Sequence, residues 1–312
     1  MNAILFPGQG SQIVGMGSEF YRNFEIVKDI FHQADNKLNY KISNIILEGP
    51  DADLKLTKNT QPAILTVSYA IFSVLKKEFS FNFDSTNFFA GHSLGEYSAL
   101  VCAQSLEFND ALYLLHERGK AMQEAVPVGK GSMIAVLGSK IDELNNFIKE
   151  IKIKGVCEIA NDNAEGQTII SGDTDSINLL KNILKKNNRK TIPLNVSAPF
   201  HCSLMNSAAV KMKNKINSIN FKKPIIDIIS NVTSKRENNS ENIKKLLIEQ
   251  IYSTVRWRES IINMSKEKVT DFIEIGPGKV LSGMAKRTVK NINCFSINSI
   301  DDIKKLLYEI KR

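Results

Sequence analysis

The pentapeptide G-H-S-L-G at positions 91–95 could place a nucleophilic serine in a sharp turn. An apolar run ends at Ala90, and a segment of helical character begins at Glu96. A strand that turns directly into a helix exposes a serine hydroxyl, and the flanking glycines leave room for the backbone to double back. The free amides of the helix N-terminus then lie where an oxyanion would form. The pattern predicts that Ser93 is a nucleophile; the alternative is a glycine-rich turn in which Ser93 only caps the helix.

A serine nucleophile needs a base within hydrogen-bond reach, and the chain has four histidines. His92 lies inside the turn, where its side chain points away from the hydroxyl, and His32 and His116 lie in stretches of helical periodicity. His201 follows a Pro-Phe pair at a strand-to-helix turn, a common place for catalytic groups on loops. By elimination we predict that His201 is the base, with a capping or core histidine as the alternative. No acidic residue between Ser93 and His201 stands out as a third triad member.

The composition excludes several classes of protein. The chain has 312 residues, 43% of them hydrophobic, which is enough to bury a core in one large domain or in two. A net charge of +8 suits an anionic partner, such as a phosphorylated small molecule or an acidic protein. Because there is no basic arm, zinc-finger spacing or aromatic RNA-binding strand, no nucleic-acid partner is expected. The four cysteines are far apart and indicate neither a disulfide framework nor a metal site.

The chain also lacks the signals of membrane insertion. No segment approaches the roughly 18 consecutive apolar residues of a membrane span, and the N-terminus leads straight into a strand rather than a signal peptide. We therefore expect no membrane partner and a cytoplasmic location. A monomer is expected, with the oligomeric state left open by the sequence.

Alternating strands and helices predict an α/β fold with a largely parallel sheet. Strands are expected at 3–6, 87–90, 225–230 and 271–274, and helices near 18–36, 60–79, 107–124 and 301–311. Thr60 is expected to cap the second of these helices, and residues 235–241 to form a surface loop. Residues 132–196 instead follow the order β-α-β-β-α-β, with the first helix expected at 141–151; this order is that of the ferredoxin-like unit. We predict that 129–196 form a subdomain inserted into a main domain made of 1–128 and 197–312.

Five segments, in register over essentially the whole chain, resemble the malonyl-CoA:acyl carrier protein transacylases. They are LFPGQGSQ at 5–12, GHSLGEY at 91–97, RGKAMQ at 118–123, APFHC at 198–202 and EIGPG at 274–278. The resemblance implies a hydrolase-like main domain with a ferredoxin-like insertion, in agreement with the order of elements. It implies transfer of malonyl from malonyl-CoA to the phosphopantetheine thiol of an acyl carrier protein, through a malonyl-serine, in fatty acid synthesis. No cofactor is expected, because the CoA thioester is a substrate.

The resemblance also assigns roles to single residues. Ser93 would be acylated, and His201 would act as its general base and acid. The backbone amides of Gln9 and Leu94 would bind the oxyanion. Gln250 would orient the histidine through its backbone carbonyl, which would explain the missing carboxylate; a glutamine on a helix surface is the alternative.

Arg118 is interpreted differently from its local sequence and from the resemblance. Its place in a helix beside Glu117 indicates a solvated surface charge. The resemblance implies a buried guanidinium that binds the free carboxylate of malonate, since a planar fork matches a carboxylate with two hydrogen bonds. Phe200 would narrow the pocket against branched acyl groups. We expect Asn161 and Asn163 to line the cleft between the subdomains.

Three other functions stay open at this stage. An esterase or thioesterase with the same turn would hydrolyse its substrate without a carrier and should have an acidic residue beside His201. An acyltransferase of polyketide synthesis would perform the same chemistry with another partner. A carrier-docking module without activity would have no need of Ser93, His201 and Arg118 together.

Overall fold

The computed structural model describes residues 1–150, 155–196 and 198–310. The fold is α/β, with a mixed, largely parallel sheet of six strands and a separate antiparallel sheet of four. In chain order the strands are β1 (Asn2–Phe6), β2 (Thr86–Gly91), β3 (Gly131–Leu137), β4 (Cys157–Ala164), β5 (Gln167–Asp173), β6 (Lys190–Pro193), β7 (Asp227–Ile229), β8 (Arg236–Glu237), β9 (Asp271–Ile275) and β10 (Asn293–Ile297).

The helices cover both faces of the larger sheet and one face of the smaller one. In chain order they are α1 (Ser18–Asn23), α2 (Glu25–Leu38), α3 (Ile42–Leu47), α4 (Asp51–Leu54), α5 (Thr57–Lys77), α6 (Gly95–Cys102), α7 (Phe108–Glu124), α8 (Ile141–Glu150), α9 (Thr174–Lys186), α10 (Asn206–Ser218), α11 (Ser240–Gln250), α12 (Trp257–Lys266), α13 (Val280–Thr288) and α14 (Ile300–Ile310). No helix in the described ranges is long and apolar enough to cross a membrane.

The larger sheet has the strand order β10-β9-β1-β2-β7-β8, in which only the β7–β8 pair is antiparallel. Residues 3–6 of the central β1 are fully buried, as expected of a strand covered on both faces. Phe6 at the end of β1 pairs with Gly91 at the end of β2. The loop that contains Gln9 therefore lies beside the turn that contains Ser93.

The smaller sheet has the order β4-β5-β3-β6, and all its pairs are antiparallel. It packs α8 and α9 against one face around its own apolar cluster, which includes Val136, Leu144, Ile170 and Leu180. The predicted order β-α-β-β-α-β is confirmed. Ile151, predicted to end the first helix, and Ser197, predicted to begin the returning domain, lie outside the described residues, as does Lys311 at the predicted end of the last helix.

Thr60 was predicted to cap α5, and this is wrong because the helix already begins at Thr57. The Lys58 carbonyl loses its helical hydrogen bond because Pro62 has no N–H. Nδ1 of His116, a residue of α7, lies 3.2 Å from the Lys58 carbonyl oxygen. A tertiary contact therefore replaces the lost helical hydrogen bond.

Residues 235–241 do not form the predicted loop throughout. Residues 236–237 form β8, a short edge strand whose polar character suits its exposed position. The helix α11 then begins at Ser240, because the Asn239 side chain accepts a 2.9 Å hydrogen bond from the Asn242 amide.

Candidate active site

A pocket of about 200 Å³ lies between the two sheets and brings most of the predicted site residues together. Apolar side chains of the smaller sheet and its connections, including Met133, Ile169 and Leu194, form one wall. The predicted residues on its lining are Gln9, Ser93, Leu94, Arg118, Asn161, Asn163, Phe200 and His201. Gln250 lies behind this lining and contacts it through hydrogen bonds.

Ser93 occupies the turn between β2 and α6 with a positive φ of 53°. Such a left-handed conformation is strained for a residue with a side chain and is found at nucleophile turns. A Cβ at Gly91 would lie 1.9 Å from the Gly95 carbonyl carbon, and a Cβ at Gly95 would lie 2.2 Å from the Phe6 oxygen. Both glycines are therefore required for the strand and helix to meet at this angle.

His201 lies between the Ser93 hydroxyl and the last carbonyl of α11. Ser93 Oγ is 2.8 Å from Nε2, and the Gln250 backbone oxygen is 2.8 Å from Nδ1. The last carbonyls of a helix lack a helical partner, so this oxygen is free to accept. Since a carbonyl only accepts, Nδ1 carries the hydrogen and Nε2 is left to accept the serine proton.

The charge state of His201 also suits a base. Burial, with a smaller contribution from the positive charge of Arg118, lowers the pKa of His201 to about 3. The imidazole is therefore neutral at physiological pH. The partner of Nδ1 is the Gln250 backbone carbonyl, an uncharged group at the position where a Ser-His-Asp triad has a carboxylate.

Arg118 is buried, with 1% of its surface exposed, so the surface charge indicated by its local sequence is wrong. Nη1 donates to Gln61 Oε1 at 2.8 Å, and Nη2 donates to Gln250 Oε1 at 2.8 Å and to Ser93 Oγ at 3.1 Å. Nε is buried without a partner among the described residues. All these acceptors are neutral. A buried cation is costly unless an anion pairs with it, so the geometry suits an anionic group that enters the pocket.

Close packing of two helices places Arg118 beside Gln61. A Cβ at Gly119 of α7 would lie 2.6 Å from the Lys58 Cα of α5, so only glycine allows this approach. The short distance between the helices allows the Gln61 side chain to reach the guanidinium.

Gln250 is fully buried, which excludes the helix-surface alternative. Its side-chain Nε2 donates to Glu96 Oε2 at 2.7 Å and to the Ser93 carbonyl at 3.0 Å, while Oε1 accepts from Arg118. Gln250 thus contacts His201 through its backbone and the Arg118 guanidinium through its side chain.

Two backbone amides lie at the Ser93 side of the pocket. Leu94 precedes the first residue of α6, and Gln9 lies in the loop after β1. Within the described ranges neither amide donates a hydrogen bond, so both can point to an incoming oxyanion.

The remaining predicted residues form the pocket walls. Asn161 and Asn163 are buried on β4, and Asn163 Oδ1 accepts from His92 Nε2 at 2.8 Å. This bond holds the His92 ring away from the serine hydroxyl. Phe200 is 7% exposed and lies directly before His201.

Comparison with known proteins identifies the family. Residues 4–306 match the family model described as the acyl transferase domain. The chain belongs to this acyltransferase family. It is 42% identical to the malonyl CoA-acyl carrier protein transacylase of Bacillus subtilis, over 99% of this chain and 97% of the relative. The resemblance drawn from the five motifs is confirmed.

Solved structures of the family superpose over nearly the whole chain. An acyl-carrier-protein-S-malonyltransferase from Bartonella henselae has a TM-score of 0.96 and 40% identity, covering 100% of this chain and 99% of that one. A malonyl-transacylase in complex with a type II PKS acyl-carrier protein has a TM-score of 0.95 and 36% identity, covering 99% of each chain.

Three buried polar residues of this acyltransferase were not predicted from the sequence: Gln61, Glu96 and Asn231. Asn231 Oδ1 accepts from the backbone amide of Ser93 at 2.6 Å, and the backbone amide of Asn231 donates to Glu96 Oε2 at 3.1 Å. Burial raises the pKa of Glu96 to about 7, against hydrogen bonds and the field of Arg118 that lower it. Two signals were present: Glu96 directly follows the G-H-S-L-G turn, and Asn231 follows the carboxyl end of a sheet strand, where ligand sites are common. Among the described residues, no group of three or more His, Cys, Asp or Glu side chains could hold a metal ion.

Proposed function

We propose that this chain transfers malonyl from malonyl-CoA to the phosphopantetheine thiol of an acyl carrier protein in fatty acid synthesis. The observation that carries the proposal is the meeting of three groups in one pocket. Ser93 Oγ lies 2.8 Å from the neutral His201 and 3.1 Å from the buried guanidinium of Arg118, to which no carboxylate of the described residues is bonded. The names of the relatives support the same donor and acceptor.

The first half of the reaction acylates the serine. His201 Nε2 takes the proton of the Ser93 hydroxyl as Oγ attacks the thioester carbonyl. The amides of Gln9 and Leu94 stabilise the oxyanion, each donor contributing on the order of 3 kcal/mol in the transition state. As the tetrahedral intermediate collapses, the C–S bond breaks and His201 returns the proton to the CoA sulfur.

The second half reverses these roles. His201 removes the proton of the carrier thiol, whose sulfur attacks the malonyl-serine ester, and the departing Ser93 oxygen recovers the proton. The result is a ping-pong reaction in which both thioesters use the same base and the same oxyanion donors. The reaction itself requires no cofactor, since the CoA thioester is a substrate.

Arg118 would select malonyl through the free carboxylate. Its hydrogen bonds use one N–H of Nη1 and both N–H groups of Nη2. The N–H directed at Ser93 Oγ points to the place where the acyl group reacts, so it can turn to the malonyl carboxylate on binding. An acetyl group offers no such partner and would leave the cation unpaired. Phe200 would exclude branched acyl groups by narrowing the pocket.

In finer architectural terms we propose a hydrolase-like main domain, 1–128 with 197–312, and an inserted ferredoxin-like subdomain, 129–196. The separate sheets and the separate apolar cluster of the smaller one support this division. The site then lies between the two units. A net charge of +8 would favour encounter with an acidic carrier protein and with the phosphates of CoA.

One alternative partner has a specific observation in its favour. The similar malonyl-transacylase was solved with a type II PKS acyl-carrier protein, so the same chemistry could serve polyketide synthesis. An esterase is less well supported, because His201 Nδ1 meets a carbonyl where a carboxylate would be expected. A docking module without activity would not need the assembled pocket.

The proposal is tested by mixing the purified protein first with malonyl-CoA and then with a phosphopantetheinylated acyl carrier protein, with intact mass spectrometry of both proteins. A malonyl adduct on Ser93 that passes to the carrier thiol is expected, and Ser93→Ala should form no adduct. Release of free malonate without loading of the carrier would indicate a hydrolase, and no adduct with any acyl-CoA would leave only the docking module. Comparison of fatty-acid and polyketide carriers separates the two pathways.

A further inference from the structure

Glu96 is a buried carboxyl group that does not line the pocket. It lies in the first turn of α6 with 2% of its surface exposed. Its Oε2 accepts from Gln250 Nε2 at 2.7 Å and from the backbone amide of Asn231 at 3.1 Å. No cationic side chain of the described residues bonds to Glu96. Burial of a carboxyl group without such a partner costs stability, so its presence requires another reason.

The Gln250 amide offers that reason, because its two ends have opposite hydrogen-bonding character. The NH₂ end faces three acceptors, which are Glu96 Oε2 at 2.7 Å, the Ser93 carbonyl at 3.0 Å and, at a longer 3.4 Å, Asn231 Oδ1. The oxygen end faces the Nη2 donor of Arg118. If the amide turned over, its NH₂ would face the guanidinium and its oxygen would face these acceptors. Both contacts would then be repulsive.

We propose that Glu96 is a positioning residue for recognition of the malonyl carboxylate. By accepting from Gln250 Nε2, it holds Oε1 toward Arg118 and so keeps the guanidinium aimed at the reacting side of the pocket. This inference rests on the proposed function and deepens it. Glu96 acts through Gln250 and Arg118 and does not touch the substrate.

A second contact of Glu96 must be separated from this role. The backbone amide of Asn231 donates to Glu96, and the side-chain oxygen of Asn231 accepts from the backbone amide of Ser93. Glu96 therefore also supports the serine turn through Asn231. Damage to that arm would change the geometry of the serine turn and slow acylation by any acyl-CoA. Damage to the Gln250 arm should slow acyl groups that need Arg118 more than acyl groups that do not, because Gln250 Oε1 contacts the guanidinium directly. The ratio of malonyl to acetyl acylation therefore distinguishes the two arms.

The test compares Glu96→Leu with Glu96→Gln. Leucine removes the acceptor, whereas glutamine can present one oxygen to both donors and restore the arrangement without a charge. Single-turnover acylation of Ser93 by malonyl-CoA and by acetyl-CoA gives the two rate constants. For Glu96→Leu we expect the malonyl to acetyl ratio to fall about tenfold or more, as for loss of a hydrogen bond that orients a charged group. Glu96→Gln should restore it to within about threefold of the wild-type ratio.

Glu274 provides a matched control. It is also fully buried and accepts from two backbone amides, those of Leu281 and Ser282, at 3.1 and 2.8 Å. These contacts do not include Gln250 or Arg118, so Glu274→Gln should leave the ratio unchanged.

Two results would overturn the inference: equal losses for malonyl and acetyl in Glu96→Leu, or a Glu96→Gln variant as unselective as Glu96→Leu. If Glu96→Leu does not fold, Glu96→Asp replaces it, because aspartate withdraws the carboxylate by one methylene. An unchanged ratio of malonyl to acetyl acylation in Glu96→Asp would count equally against the inference. Failure of the proposed function would be seen differently, as a wild-type protein that forms no malonyl-serine at all.

Discussion

Replacement of Arg118 by Met removes the guanidinium and keeps a side chain of similar length. If Arg118 binds the malonyl carboxylate through two hydrogen bonds, each to a charged group, about 3–6 kcal/mol of transition-state stabilisation is lost. This corresponds to a fall of about 10² to 10⁴ in the rate constant for malonyl acylation. Acetyl-CoA has no carboxylate, so its rate should hold or rise.

The structure also predicts how stability and pH dependence respond to Arg118→Met. Gln61, Gln250 and the Ser93 hydroxyl each lose a donor, at about 1 kcal/mol apiece, and removal of a buried charge offsets much of this loss. The free energy of unfolding should therefore change by no more than about 2 kcal/mol. Since the cation helps to lower the pKa of His201, its removal should raise that pKa. The acid limb of the rate of acetyl acylation should then move to higher pH.

The assay is rapid-quench acylation followed by intact mass spectrometry, with urea unfolding as the measure of stability. Lys120→Met is the matched control, because Lys120 lies on the same helix with a side chain 45% exposed. It should leave both rates unchanged. Equal losses for malonyl and acetyl in Arg118→Met, in a folded protein, would refute the reasoning and make Arg118 a structural residue.

Four further predictions concern the base, the serine turn, a glycine of α13 and Glu96. His201→Ala should slow acylation about 10²-fold or more, measured by the same quench, and near-normal acylation would disqualify His201. Gly95→Ala should cost about 1–3 kcal/mol in urea unfolding, because its Cβ would lie 2.2 Å from the Phe6 oxygen. Gly283→Ala, whose Cβ would meet nothing closer than 3.9 Å in α13, should instead gain about 0.5–1 kcal/mol. Burial raises the pKa of Glu96 in the folded protein to about 7, above its ordinary value of 4.5. Protonation of Glu96 therefore stabilises the folded state. This contribution to the free energy of unfolding is fully present below pH 4.5, the pKa in the unfolded chain, and is lost as the pH rises through 7. From about pH 5 to about pH 8 the wild type should therefore lose up to about 3 kcal/mol relative to Glu96→Gln, and parallel curves would contradict the raised pKa.

The interpretation of Arg118 shows how a local signal can be misjudged. The charged neighbour Glu117 indicated a surface position, but Ala111, Leu115, Arg118 and Met122 follow one another at steps of four, three and four residues. That spacing places all four on one face of α7, and the structure buries this face. The helical periodicity of the sequence was therefore sufficient to indicate that Arg118 is buried, although it does not indicate which residues bind the guanidinium.

The serine turn and the order of the elements were determined by the sequence alone, because their physical requirements are local. Glycines at 91 and 95, an apolar strand before them and a helix after them are sufficient to specify the turn. The β-α-β-β-α-β order likewise follows from periodicity and breakers within 132–196. Elimination among four histidines, and the resemblance of five motifs, then selected His201.

Only the tertiary structure decided which groups meet around Ser93. His201 lies 108 residues from it and Gln250 another 49 further along the chain, and no local pattern specifies their contacts. The Thr60 cap failed for the same reason, since a ring from another helix satisfied the carbonyl that Pro62 left free. Distances of 3 Å between groups so far apart in sequence depend on the packing of whole helices and strands. Packing is set by the sum of many contacts, whereas a turn is set by a few adjacent residues.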